Sequence, residues 1–94
     1  MDKTYWRIRG ELLVRAGSLD EGEKSLLHAL RLSAQQGAKI EELRSTTRLA
    51  RLLAKHGERE EARTMLTEIY NWFTEGFDTA DLKDTKALLE ELGA

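Results

Sequence analysis

Apolar residues recur at helical spacing along almost the whole chain, and no stretch alternates apolar and polar positions as a half-buried strand does. Single glycines punctuate these stretches at positions suited to the left-handed residue that ends a helix. The pattern predicts five helices, over residues 3–16, 19–36, 38–56, 58–74 and 78–92. The connections are so short that neighbouring helices must pack antiparallel. The expected fold class is therefore all-α.

Capping residues indicate where the second and the fifth helix begin. Ser18 and Glu21 have the spacing of a capping box, in which both side chains bond free backbone donors. Asp78 and Thr79 are N-cap candidates for the fifth helix. Phe77 is expected to fold back onto the last turn of the fourth helix.

An internal repeat indicates how the helices are arranged. The segment Leu12-Leu13-x-x-x-Gly17-x-x-x-Glu21-Gly22-x-x-x-Leu26 matches Leu52-Leu53-x-x-x-Gly57-x-x-x-Glu61-Ala62-x-x-x-Leu66 at a constant offset of 40 residues. Small residues recur where two helices must approach closely, as Gly10 and Ala50 and as Gly22 and Ala62. Two helical hairpins in one register are typical of an α-solenoid.

The first hairpin resembles a tetratricopeptide repeat through Trp6, Gly10, Leu13, Gly17, Glu21-Gly22, Leu26 and Ala29. Arg9 stands where that family prefers Leu, the terminal Pro is missing, and the step is longer than the usual ~34 residues. HEAT-type pairs fit the step but lack the Gly…Glu-Ala turn signal. The resemblance implies one TPR-like domain over 1–94, with repeats at 3–36 and 38–74 and a capping helix at 78–92.

A second resemblance covers most of residues 38–92. The run Tyr70-Asn71-Trp72-Phe73-Thr74-Glu75-Gly76-Phe77-Asp78-Thr79, with Gly57 and Glu61-Ala62 before it, is similar to the C-terminal helical-repeat end of bacterial regulators that resemble class III adenylate/guanylate cyclases and carry an ATPase domain. This resemblance implies the last piece of a cytoplasmic signalling protein. Neither cyclase nor ATPase motifs occur in the chain, so no activity follows from it.

Composition excludes several classes of protein. The chain has 94 residues, enough for one small domain, with 40% hydrophobic and 34% charged residues and no Pro or Cys. That is too apolar for a disordered tail and too charged for a membrane protein, and the N-terminus lacks the apolar run of a signal peptide. The absence of Cys excludes disulfides, thiolate zinc sites and Cys nucleophiles.

The net charge of −2 is unevenly distributed. Residues 1–57 hold 11 Lys/Arg and 7 Asp/Glu, whereas residues 58–94 hold 4 Lys/Arg and 10 Asp/Glu. Two interpretations stay open: solvated helix faces that happen to differ, or a polarised surface that steers a charged partner.

The sequence offers little for catalysis. His28 and His56 fall on different helices, without the spacing of a metal site. Adjacent acids such as Glu60-Glu61 diverge around a helix and do not converge on a substrate. No phosphate-binding glycine loop or nucleophile elbow occurs. We therefore expect no enzyme, no cofactor and no metal.

Binding is better supported. The resemblance places the concave surface on the first helix of each hairpin, and the candidate groove residues are Arg7, Glu11, Arg15, Arg44, Thr47, Arg48, Arg51 and Lys55. Four of these basic residues follow one helical stripe from 44 to 55, which suits the carboxylates of an acidic or C-terminal peptide. The alternative is that the arginines pair with nearby glutamates or with the acidic last helix. Nucleic acid is a third interpretation, against which the acidic pI of 5.7 argues.

The expected function is thus a non-catalytic protein–protein interaction module of a bacterial signalling protein, which docks a peptide or neighbouring domain in an Arg-rich groove. The alternative function is self-association through an exposed repeat end. Candidates for an oligomer contact are Tyr5 and Trp6 at that end, and Trp72, which lies off the apolar stripe of its helix.

Overall fold

The computed structural model describes residues 1–93, and these contain five α-helices and no strand. The helices are α1 (Lys3–Arg15), α2 (Leu19–Gln36), α3 (Lys39–Lys55), α4 (Arg59–Tyr70) and α5 (Ala80–Gly93). The predicted all-α class and the number of helices are confirmed. None of these helices is long and apolar enough to cross a membrane.

One predicted boundary is wrong by more than one turn. The periodicity predicted that the fourth helix reaches residue 74, but α4 ends at Tyr70. The amides of Trp72 and Phe73 bond three residues back, to the carbonyls of Ile69 and Tyr70 at 3.2 and 3.1 Å, so the helix tightens there and ends. The chain then turns back, and the rings of Phe77 and Tyr70 lie 5.5 Å apart, as expected for Phe77.

The helix caps differ from expectation at one place. Asp2 caps α1 by accepting a 2.9 Å bond from the amide of Tyr5, and its backbone is extended, with ψ 174°. Ser18 occupies the N-cap of α2, but its hydroxyl makes no capping bond, so the predicted capping box is wrong. With ψ 70°, the backbone of Ser18 departs from the extended conformation that directs a cap side chain at the first turn. At α5 the cap is Thr79, whose hydroxyl lies 3.5 Å from the amide of Leu82.

The two hairpin turns have the same conformation. Gly17 and Gly57 both adopt left-handed backbone angles, with φ 88° and 84°. After each glycine, the next amide reaches back five residues, from Ser18 to the Leu13 carbonyl and from Glu58 to the Leu53 carbonyl, at 2.9 Å in both turns. This bond belongs to the Schellman motif that ends helices at glycine. The turns are therefore equivalent at the 40-residue offset that the sequence shows.

Helix α3 lies at the centre of the fold. It packs against α1, α2, α4 and α5, and eight of its residues are buried, more than in any other helix. The larger apolar cluster includes Leu26, Leu49, Leu66 and Leu88, from four different helices. A smaller cluster joins Leu43, Ile69 and Leu82. Helix α5 contributes to both clusters, so it covers the open side of the second hairpin.

Candidate functional site

Two arginines of the predicted groove, Arg7 and Arg48, are engaged in ion pairs that join α1 and α3. Arg7 bonds Glu11 of its own helix at 2.7 Å and Glu41 of α3 at 3.1 Å. Arg48 of α3 bonds the other carboxylate oxygen of Glu11 at 3.0 Å. Glu11 therefore joins two arginines on two helices.

The pairing continues from α3 to α5. Arg44 bonds Glu41 at 2.9 Å, and two of its nitrogens reach the carboxylate of Asp81 at 3.0 to 3.2 Å. Arg51 bonds Asp84 at 2.9 Å, and Arg48 lies 4.0 Å from the same carboxylate. Two-pronged contacts of this kind fix a guanidinium in both position and orientation.

We call these eight residues the charge network: Arg7, Glu11, Glu41, Arg44, Arg48, Arg51, Asp81 and Asp84. Its four cations match its four anions, so its formal charge is zero. Of the three interpretations of the basic stripe, pairing with acids of the chain itself is the one that the structure shows for Arg44, Arg48 and Arg51. The network closes α1, α3 and α5 together along one side of the molecule.

Electrostatics reinforces the Arg44 contact. The hydrogen bond to Asp81 raises the pKa of the Arg44 guanidinium, against the opposing effect of partial burial, and the Asp81 charge and Glu41 add to the rise. A group whose pKa is raised on folding contributes stability that is fully present below its unfolded pKa and is lost as the pH rises through the folded value. For an arginine that window is strongly alkaline, so Arg44 keeps its charge across the physiological range.

A cleft lies at the end of this side, between α1 and α3, and we call it the groove. Its volume is about 270 Å³, and Val14, Leu26 and Leu52 give it an apolar floor. Arg15 and Lys55 stand at its rim, in the last turns of their helices. Among the described residues, neither of these two side chains forms an ion pair, in contrast to the four arginines of the charge network.

Thr47 does not line this groove, so its assignment to the concave surface is wrong. Its side chain is buried beneath α5, with 1% of the residue exposed. Its hydroxyl lies 2.7 Å from the Leu43 carbonyl and 2.8 Å from the hydroxyl of Thr85 on α5. Thr47 is therefore part of the packing between α3 and α5.

The three candidates for an oligomer contact have different surroundings. Tyr5 is 41% exposed on α1, whereas Trp6 is half-buried, with its ring edge-on to His28 of α2 at 4.7 Å and the Arg9 guanidinium over it at 5.7 Å. Trp72 is 57% exposed, as expected, and the Lys39 ammonium lies 5.3 Å from the centre of its ring. Trp6 therefore packs within the first hairpin.

The sequence named Glu11 as a groove residue but not the other three acids of the charge network, Glu41, Asp81 and Asp84. Glu41 stands three residues before Arg44, a spacing that brings helical side chains together, so this pair had a local signal. Asp81 and Asp84 repeat that spacing on α5, but their partners lie 33 or more residues away in the chain. Leu26 was not expected in the floor of the groove, because it comes from α2 and not from the helices expected to line it.

Comparison of the chain with family models, with curated proteins and with solved structures gives no match.

Proposed function

We propose that the chain is a non-catalytic protein–protein interaction module that docks an acidic peptide segment, or a neighbouring domain that carries one, in the groove between α1 and α3. The observation that carries this proposal is that Arg15 and Lys55, which form no ion pair within residues 1–93, stand above an apolar floor. An apolar side chain of the partner would fill the cleft while its carboxylates bond the rim. Interfaces of this kind combine one buried anchor with charge-assisted bonds around it.

The repeat architecture supports the same proposal. The two turns share one backbone conformation, and the small pairs Gly10 and Ala50 and Gly22 and Ala62 are all buried. We infer that the hairpins are tetratricopeptide-like repeats capped by α5, and that the first helices of the hairpins line the binding side. The assignment to a bacterial signalling protein rests on the sequence resemblance at residues 38–92.

The charge network has a supporting role in this proposal. Its arginines are already satisfied by intramolecular acids, so a ligand would have to displace an ion pair to reach them. Arg15 and Lys55 have no such competitor among the described residues. We therefore assign anion recognition to the rim cations and rigidity of the groove wall to the network.

A peptide titration tests the groove directly. The probe is a synthetic peptide ending in Leu-Glu-Asp with a free carboxylate, added to the ¹⁵N-labelled chain while amide shifts are recorded. We expect shifts concentrated at Val14, Arg15, Leu52 and Lys55, and a dissociation constant at least tenfold weaker for the double variant Arg15→Glu/Lys55→Glu.

The matched control is Lys83→Glu/Lys86→Glu, which makes the same two charge reversals at exposed positions of α5. It should bind the probe as the parent chain does. If the control weakens binding as much as the rim variant does, the effect is one of net charge and the groove is not the site.

A further inference from the structure

The side of α1 that faces away from α2 and α3 is apolar and exposed. Tyr5, Ile8 and Leu12 follow one helical stripe and are 41%, 46% and 56% exposed. Together with Leu13 and Ala16 they line a shallow surface depression of about 520 Å³. We call this surface the outer face of α1. Within the described residues, α1 packs only against α2 and α3, and this face is covered by neither.

The second hairpin shows what occupies the corresponding place there. At the 40-residue offset, Tyr5 corresponds to Ser45 and Leu12 to Leu52, and these two residues of α3 are buried, with 0% and 2% exposed. Ile8 corresponds to Arg48, which is half-buried and belongs to the charge network. Helix α2 precedes α3 and packs against it, so the first helix of a hairpin can accept a further helix in this fold. The outer face of α1 has a shallow depression and an exposed apolar stripe of helical spacing, so it can accept a helix as α3 accepts α2.

The basic residues of α1 determine the charge that a helix bound to this face should carry. Helix α1 carries four basic residues and one acid, Glu11, and that acid is engaged by Arg7 and Arg48. By the helical period, Arg9 and Arg15 lie on opposite flanks of the apolar stripe. Neither of them has a carboxylate partner among the described residues, and Arg9 donates one hydrogen bond, to the hydroxyl of Ser25 on α2 at 2.8 Å. Carboxylates at the edges of an approaching helix would therefore meet cations on both sides.

We propose that the outer face of α1 binds an amphipathic helix of a partner, with an apolar stripe of i, i+3, i+4, i+7 spacing and Asp or Glu along both edges. This mode of recognition lays one apolar helix face into a complementary surface, and charges at the edges select the partner. A second copy of this chain fits less well. Its own α1 is equally basic, and the inward stripes of α2 to α5 are already packed in the core.

Two synthetic probes test the proposal. Both are labelled 18-residue helical peptides with the same Leu/Ala stripe, one with Glu and one with Lys at the edge positions. Fluorescence anisotropy with the full chain should give at least tenfold tighter binding of the Glu-edged peptide. The variant Ile8→Lys should weaken that binding tenfold or more, whereas Ile40→Lys, the same substitution at a residue of α3 that is 43% exposed, should leave it unchanged.

A charge inversion separates recognition from folding. The variant Arg9→Glu/Arg15→Glu, shown to be folded by circular dichroism, should reverse the preference towards the Lys-edged peptide. Equal binding of the two peptides, or equal loss in Ile8→Lys and Ile40→Lys, overturns the proposal. Sedimentation velocity tests whether a second copy of the chain occupies this face. The parent chain would then form a concentration-dependent dimer that Ile8→Lys abolishes and Ile40→Lys retains, and this result would overturn the proposal.

Discussion

Glycines at two positions set how closely α1 and α2 approach. A β-carbon built on Gly22 would lie 2.6 Å from a methyl group of Val14, and one built on Gly10 would lie 2.7 Å from Cγ of the buried Leu26. The equivalent positions of the second hairpin hold Ala50 and Ala62, which are fully buried. The small residues predicted a close approach of the helices at both places. How close the helices come depends on the facing side chains, Val14 and Leu26, which the pattern does not identify.

Because a β-carbon at Gly22 would collide with Val14, we expect Gly22→Ala to destabilise the fold. Alanine is favoured over glycine in a helix by about 1 kcal/mol, but overpacking a fixed interior costs about 1–3 kcal/mol. The net expectation is a loss of about 1 kcal/mol in the free energy of unfolding, measured by urea denaturation. The reverse change Ala62→Gly should lose at least about 1 kcal/mol, from helix propensity together with the loss of a buried methyl group. A gain in stability for Gly22→Ala would mean that the two helices have room to separate.

Thr47 shows where residue-level reasoning failed. Its position on the first helix of a hairpin and its spacing from Arg44 and Arg51 gave it the same register as the groove residues. Burial by α5 cannot be read from that register, because it depends on a helix that begins 33 residues later in the chain. A polar residue on a helical stripe therefore has two outcomes, exposure or a buried hydrogen bond, and the partner Thr85 decides which.

Helix α5 is attached by charge as well as by apolar contacts. Because Arg51 bonds Asp84 whereas Lys55 has no ion pair among the described residues, the same substitution should have different effects one helical turn apart. Arg51→Glu would place two carboxylates together and should reduce stability by about 0.5–1 kcal/mol, in the range of partly exposed pairs. Lys55→Glu should change it by less than about 0.5 kcal/mol, as surface substitutions do.

Hydrogen exchange locates this effect. In Arg51→Glu the amides of α5 should exchange faster than in the parent chain, while those of α1 and α2 keep their rates, since the pair joins α3 to α5. Equal exchange of α5 in the two variants would show that the ion pairs contribute nothing to its attachment. Charge reversal at Arg44 or Arg51 is for the same reason a poor test of ligand binding, because it disturbs the packing of α5.

Helix positions follow from the sequence much better than helix ends do. All five helices were predicted because each has a continuous apolar stripe of helical period, and glycine at 17, 37 and 57 marks three of the ends. The end of α4 was missed because residues 71–74 continue the helical pattern, with Phe73 on its stripe. Packing of Phe77 against Tyr70 requires the chain to turn earlier, and that contact is tertiary.

For the molecule as a whole, α5 is expected to be necessary for cooperative folding. It supplies Leu82 to the smaller apolar cluster and Leu88 and Leu92 to the larger one. A chain truncated after Gly76 would expose the opposite sides of both clusters, and burial of a leucine side chain contributes about 1.5–3 kcal/mol. We expect the truncated chain to bind an apolar dye and to lose its sharp thermal transition. The full-length variant Ala87→Lys, altered on the exposed side of α5, should retain that transition.

Part of the candidate site could be predicted from the sequence, namely the side of the molecule that carries its basic residues. The sequence placed the basic residues of α1 and α3 on one side of the molecule, and it left open whether they bind a ligand or pair internally. It could not divide them into the four arginines of the network and the two rim cations, because that division depends on which acids the fold brings beside each cation, Glu11 and Glu41 as well as Asp81 and Asp84. Charge segregation along the chain, basic before residue 58 and acidic after it, thus becomes partial neutralisation between neighbouring helices in the folded state.

The balance of the charge network has an evolutionary consequence. Because each of its eight side chains serves a partner on another helix or another turn, an exchange at one position leaves a surplus charge that only a second exchange can remove. We therefore expect substitutions on this side of the molecule to occur in pairs that preserve the charge balance, such as positions 51 and 84. Positions 15 and 55 can change independently, in step with the partner that the module binds.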